Sequence, residues 1–115
     1  MSQPFTAFDY RTKFGNRTFP SPIFTASGCA GSGKELAQFF SLDELGAVVT
    51  KSISVKPRSG RPTPRMAETP SGMLNSIGLQ GPGIDQFLEH DIPWLVAKGA
   101  RVIVSISGES VEEYS

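Results

Sequence analysis

Three short runs, "SPIFTAS", "GAVVTKS" and "GARVIVSIS", constrain the fold of this chain more than any other feature. Each is almost continuously apolar or β-branched and lacks the polar alternation of a strand with one wet face. Strands of that kind are covered on both sides, which is the condition of a parallel sheet. A helical pattern over roughly 34–40 separates the first two runs. A second precedes the third run, with Ile84, Phe87 and Leu88 on one face and Trp94 and Leu95 continuing it beyond Pro93. Asp91 is placed to cap the short helix after that proline. "GESVEEYS" opens another helix, with glutamates in the first turn where the helix dipole favours them. Strand and helix alternate, so the fold class is α/β.

A doubly wound sheet and a barrel both fit this alternation. The discriminating segment is "SVKPRSGRPTPRMAETPSGMLNSIGLQGPG", read as one long loop over 53–82 without helical or strand period. Long loops at the carboxyl ends of strands are where barrels build active sites. The expected architecture is a (β/α)8 TIM barrel. A barrel needs about 250 residues, so residues 1–115 supply the N-terminal part of a single barrel domain, an N-terminal hairpin and about the first three β/α units. The hairpin is read from "TAFDYRTKFGNRTFPSP", which alternates aromatic and polar residues around the turn pair Gly15-Asn16 and suggests a lid or plug.

Eleven basic and eleven acidic side chains cancel, which removes the electrostatic footprint of a nucleic-acid or acidic-membrane binder. The single cysteine cannot form an internal disulfide, and no apolar run approaches the roughly 20 residues of a membrane span. The polar start, broken by Pro and Gly, lacks the apolar stretch of a secretory signal; Met1 reads as a natural beginning and the cytoplasm as the compartment. No metal site is expected.

"TASGCAGSGKELAQFF" raises a nucleotide-binding alternative, because Gly28, Gly33 and Lys34 fall at the spacing of a phosphate-cradling loop between strand and helix. Glu35 opposes it, since a magnesium-holding hydroxyl belongs there and a carboxylate repels phosphate.

At "VVTKSI", followed by "PRSGRPTPRMAETPSGMLNSIGLQGPG", the sequence closely resembles dihydroorotate dehydrogenase in its soluble class 1 form. The resemblance runs from about Phe14 to Tyr114, and "GMLNSIGLQ" is its most specific part. It implies an FMN-dependent barrel that oxidises dihydroorotate to orotate in de novo pyrimidine (UMP) biosynthesis, with hydride passed to FMN. It also implies that the loop Ala26-Ser27-Gly28 follows the flavin ring system, while the glycines beyond it start a helix and hold no phosphate. "TASGCAG" with "GLQGPG" is more similar to the subclass that sends electrons through an iron-sulfur flavin subunit to NAD than to the fumarate-using one. Homodimers are usual in the family. Its base cysteine belongs to a later barrel loop beyond Ser115, so the 115-residue chain alone is expected to be inactive. A phosphate-loop protein using Gly28–Lys34 and a non-catalytic truncated fragment are the alternatives.

The chemistry expected of single residues follows from that resemblance. Ala26, Ser27 and Gly28 are small enough for backbone to approach a flat ring, and Ser27 offers a hydroxyl; an ordinary strand-to-helix turn has the same composition. Lys51 ends the second strand at the rim. Its ammonium can neutralise charge building on a reduced flavin and attract a substrate carboxylate, or simply be solvated. Ser52 beside it, and Thr50 before it, add hydroxyls similar to the family's flavin contacts. Asn75 carries an amide complementary to a pyrimidine edge, and the N–H groups of Ile77, Gly78 and Leu79 can form a concave anion site. The same residues also suit an Asn-Ser turn with Met73, Leu74, Ile77 and Leu79 as apolar anchors. Ser105 stands where related enzymes carry an asparagine that contacts flavin. Cys29 reads as a small residue packed after the first strand and His90 as a solvated histidine. Lys56, Arg58, Arg61 and Arg65 either steer an anionic substrate or are solvated loop charges.

Overall fold

The computed structural model describes residues 9–115; Met1 and residues 6–8 of the alternating aromatic segment lie outside them. The expected hairpin forms from β1 (Thr12–Phe14) and β2 (Arg17–Phe19), with Phe14 opposite Arg17. Gly15 takes the first turn position at φ +59°, the left-handed conformation that matches a two-residue turn to the twist of its strands. Phe19 then meets Phe24 edge to face at 5.1 Å, which ties the hairpin to the first strand of the main sheet.

Four further strands follow among the described residues: β3 (Val48–Val49), β4 (Met66–Thr69), β5 (Gly72–Asn75) and β6 (Val102–Ile103). The three apolar runs lie side by side and parallel. Phe24 bridges Ala47, β3 pairs with β6, and Ile53 bridges Ile106. Regular pairing is shorter than the apolar runs because side-chain hydroxyls replace ladder bonds near their ends. The order follows the chain, and the helical segments pack on one face, where Leu42, Val48 and Leu95 are buried with Leu36, Ala37, Trp94 and Val102 around them. Successive units of a barrel are arranged in this way.

The helices depart from expectation. Residues 34–40 do not form an α-helix; they hold a 3-10 turn, Leu36–Gln38, and another follows at Leu42–Glu44. The connection is too short to propagate a helix, and only its Leu36-Ala37 side meets the core. The helical pattern does continue beyond Pro93, as expected, but without a second helix capped at Asp91. α1 (Ile84–Gln86) passes through a π turn, Phe87–Asp91, into α2 (Ile92–Ala97). The wider π turn directly before Pro93 is where the helix accommodates a ring that would meet the preceding carbonyls and a residue without an N–H. Asp91 makes no cap; its side chain serves an ion pair described below. The chain leaves α2 through Gly99 at φ +70°, with the Ala100 N–H on the Leu95 carbonyl at 3.1 Å, and so enters β6. The expected helix in "GESVEEYS" is only a 3-10 turn, Glu112–Tyr114, folded back so that the Tyr114 hydroxyl donates to the Gly108 carbonyl at 3.2 Å.

The segment 53–82 is an ordered ribbon. Arg58 and Gly81 exchange both backbone bonds, Arg61 donates to Ile77 and Ser76 to Arg65, and β4 and β5 continue the antiparallel pairing to a turn at Pro70-Ser71. Every residue of β4 and β5 is exposed. No burial pattern marked them in the sequence.

Candidate functional site

The carboxyl ends of the parallel strands carry the six expected cofactor residues. Lys51 leaves the sheet after Thr50 and lies along Gly28, close enough that a Cβ on Gly28 would stand 3.3 Å from its Cδ and 3.6 Å from its Nζ. Gly28 has φ +80°, so both space and backbone conformation call for glycine here. The Lys51 N–H donates to the Gly31 carbonyl at 3.3 Å, which holds the glycine loop against the rim. Among the described residues no carboxylate pairs with Lys51. Ser52 Oγ and Ser105 Oγ are 2.9 Å apart, joining the second and third strands just beyond their ladder. Ala26, Ser27 and Gly28 are exposed beside them. Cys29 is exposed as well, which corrects the expectation of a packed residue: the turn that brings its N–H to the Ala26 carbonyl at 3.1 Å turns it outward. His90 is exposed on the helix, as expected.

The remaining expected residues lie on the ribbon. Asn75 ends β5 opposite Met66 and is exposed; no hydrogen bond joins it to Lys51. Gly78 (φ +83°) and Leu79 (φ +53°) are consecutive left-handed residues, and Leu79 is the one non-glycine with positive φ among the described residues. A leucine there costs roughly 1–2 kcal/mol of backbone strain. Their turn packs on Arg61, since a Cβ on Gly78 would come 2.8 Å from Arg61 Cγ. Among the described residues nothing accepts a hydrogen bond from the N–H groups of Ile77, Gly78 or Leu79. Leu79 also borders a cavity of about 240 Å³ between the ribbon and the strand ends, with Ser54, Lys56, Arg58, Ser107 and Glu109.

The basic cluster divides. Arg58 pairs with Glu109 across that cavity. Arg65 clamps the ribbon from within, donating to the Arg61 carbonyl at 2.6 Å, the Gln80 Oε1 at 2.6 Å and the Ser59 carbonyl at 3.2 Å. The sequence reading missed this clamp; a lone arginine after Thr-Pro carries no local signal of it. Lys56 and Arg61 remain without an acidic partner among the described residues.

The same geometry does not favour the phosphate-loop alternative. Lys34 Nζ binds Asp91 Oδ1 at 2.7 Å and lies 5.9 Å from the Trp94 ring centroid. Gly33 is buried, and a Cβ on it would be 3.2 Å from Leu42 Cδ1. Gly33 therefore packs on the core beside Leu42, Val48 and Leu95, and the lysine is occupied by an internal carboxylate.

Residues 10–115 match the profile of the family described as dihydroorotate dehydrogenase. The catalytic subunit of dihydroorotate dehydrogenase B (NAD(+)) from Bacillus caldolyticus is 53% identical over 94 residues, which are 82% of this chain and 30% of that protein. The subunit of the same name from Thermoanaerobacter sp. (strain X514) is 45% identical over 105 residues, 91% of this chain and 35% of its own length. The chain thus spans about a third of these relatives. Among solved structures, a dihydroorotate dehydrogenase of Eimeria tenella in complex with ferulenol superposes with a TM-score of 0.52 at 19% identity, over 85% of this chain and 28% of that one. Strand order, the packing of helices on one face and these matches agree: the chain belongs to the dihydroorotate dehydrogenase family, whose fold is a TIM barrel.

Proposed function

We propose that the protein carrying this chain oxidises dihydroorotate to orotate in pyrimidine biosynthesis, as an FMN-dependent catalytic subunit. The observation that carries this reading is Lys51: an ammonium without a carboxylate partner among the described residues, held at the carboxyl end of a parallel strand against a glycine. The small exposed residues Ala26, Ser27 and Gly28 and the paired hydroxyls of Ser52 and Ser105 lie next to Lys51, small groups and donors on one side of the strand ends.

In this reading Ala26, Ser27, Gly28, Lys51, Ser52 and Ser105 hold FMN, which when bound supplies the two-electron acceptor for the substrate hydride. Lys51 provides a fixed positive charge where negative charge accumulates, so its contribution rises as the reaction proceeds. Its ammonium also attracts the carboxylate of the substrate. Asn75 presents donor and acceptor to the pyrimidine edge, and the open N–H groups of Ile77, Gly78 and Leu79 face the carboxylate from the ribbon. A base from a later barrel loop takes the proton. The names of the relatives, catalytic subunits of an NAD(+)-linked enzyme, favour a second, electron-transferring subunit; in this reading that partner is an iron-sulfur flavin subunit and the catalytic subunit is a homodimer. A cytoplasmic location goes with this reading, and among the described residues no helix is long and apolar enough to cross a membrane.

The test is spectroscopic. The full-length protein is expected to purify with FMN, to shift its flavin spectrum on titration with orotate, and to lose its visible absorbance anaerobically on adding dihydroorotate. A protein that binds FMN yet stays oxidised with dihydroorotate would defeat the substrate assignment.

A further inference from the structure

The strand that carries Lys51 changes register with its neighbour. Val49 stands opposite Ile103 and Ile53 opposite Ile106, so three residues, Thr50, Lys51 and Ser52, face only two, Val104 and Ser105. This is a β-bulge, a device that re-aims side chains at the ends of sheets. Before it the ladder is regular, with the Val48 N–H on Arg101 at 2.8 Å and the Thr50 N–H on Ile103 at 3.0 Å. Beyond it the ladder resumes, with the Ile53 N–H on Ser105 and the Ser107 N–H on Ile53, both at 2.9 Å. In an unbroken parallel register the Ser105 N–H would donate to the Thr50 carbonyl. It donates to the Thr50 hydroxyl oxygen instead, at 3.2 Å.

Thr50 is 1% exposed, so water cannot take over that bond. The strand on the other side is stitched in a similar way. Thr25 Oγ1 accepts from the Val49 N–H at 2.8 Å and lies 3.2 Å from the Val49 carbonyl, to which its hydroxyl donates. Across the bulge Ser52 and Ser105 join through their hydroxyls.

We infer that Thr50 is a positioning residue: its buried hydroxyl holds the bulge that turns Lys51 and Ser52 out of the ladder toward the rim. The inference rests on the FMN reading for its effect on ligand, but the hydroxyl-to-amide bond stands apart from that reading. Valine keeps the β-branched shape and removes the acceptor; serine keeps the acceptor and removes a methyl.

The experiment compares Thr50→Val, Thr50→Ser and Val48→Ala in the full-length protein. FMN affinity of the apoprotein, the visible spectrum of the bound flavin and hydrogen exchange of the peptide containing Ser105 are measured together. Thr50→Val is expected to weaken FMN binding by about tenfold, the worth of one good hydrogen bond, to shift the flavin spectrum and to speed exchange at Ser105. Thr50→Ser is expected to restore all three to within about twofold of the parent. Val48→Ala, a core truncation on the same strand, is expected to lower the melting temperature while leaving the flavin spectrum in place. Parental FMN affinity and spectrum in Thr50→Val, or a Thr50→Ser that fails as valine does, would overturn the inference. If the parent binds no FMN, the functional reading fails, and unchanged Ser105 exchange in Thr50→Val then defeats the positioning role on its own. If Thr50→Val does not fold, parental behaviour of Thr50→Ser supports the role and its loss of FMN affinity rejects it.

Discussion

Lys51 and Asn75 sit on different elements, one on a sheet strand and one at the end of an exposed ribbon, and their loss is expected to show differently. Asn75→Ala in the full-length protein leaves bound flavin and its spectrum intact and weakens orotate. Leaving buried substrate groups unpaired costs about 1–3 kcal/mol, roughly tenfold to a hundredfold in affinity. Lys51→Ala slows flavin reduction itself, because the charge that grows in the transition state loses its counter-charge, an effect of roughly 2.7–4 kcal/mol at comparable sites. Anaerobic stopped-flow reduction at saturating dihydroorotate, with an orotate titration of the oxidised protein, separates the two. Reduction of Lys51→Ala at the parental rate would remove that residue from the chemistry. At the same scale Gly33→Ala tests the packing role of the glycine loop. A left-handed φ of +81° and a Cβ 3.2 Å from Leu42 are expected to cost about 1–2 kcal/mol or more, read as a lower melting temperature in the full-length protein.

Elements are joined here by side chains far apart in sequence. The Lys34–Asp91 pair spans 57 residues and fastens the glycine loop to the π turn of the 84–97 helix. Asp91 is largely buried and Lys34 half exposed, so the lysine can be resolvated when its partner is lost. Asp91→Ala is therefore expected to destabilise the protein by only about 1 kcal/mol, with FMN affinity unchanged; a selective loss of FMN would reassign the pair to the site. Such links also explain what the sequence could and could not disclose. The parallel strands were legible because continuous β-branched runs are a local signal, and the hairpin because Gly15-Asn16 is a local turn. Ala26–Gly28, Lys51, Ser52 and Ser105 came together because strand ends converge at one rim. The ribbon was hidden, since its strands are exposed on both faces and their composition is that of a loop. The bulge at Thr50–Ser52 depends on register with residues some fifty positions away, and the fate of Lys34 on a carboxylate equally distant. The Asp91 cap failed for a related reason: the π turn that carries the helix on into Pro93 leaves no mark in hydrophobic periodicity.

At the scale of the whole molecule, the described residues make an open body with a small core. Their radius of gyration is 18.0 Å, where a compact chain of this length has about 13 Å. Among the described residues Leu42, Val48 and Leu95 form the buried apolar cluster, while Ile103, Val104 and Ile106 along the third strand run are 38%, 41% and 56% exposed. A parallel sheet with an uncovered apolar edge strand is not stable by itself and is prone to pair with other chains. The 115-residue polypeptide expressed alone is therefore expected to lack a cooperative thermal transition and to associate at micromolar concentration, whereas the full-length protein unfolds cooperatively. It is also expected not to turn over dihydroorotate. Barrel enzymes commonly hold phosphate after their seventh and eighth strands, so FMN would lose an anchor, and the base of the reaction would be missing as well. Calorimetry and substrate-dependent dye reduction, run on both polypeptides side by side, check the two expectations. A sharp calorimetric transition in the short polypeptide would show that the exposed edge strand does not limit its stability. Sustained dye reduction at a rate comparable with the full-length protein would show that the cofactor needs no anchor beyond Ala26–Gly28, Lys51, Ser52 and Ser105, and that the proton leaves without a base from a later loop.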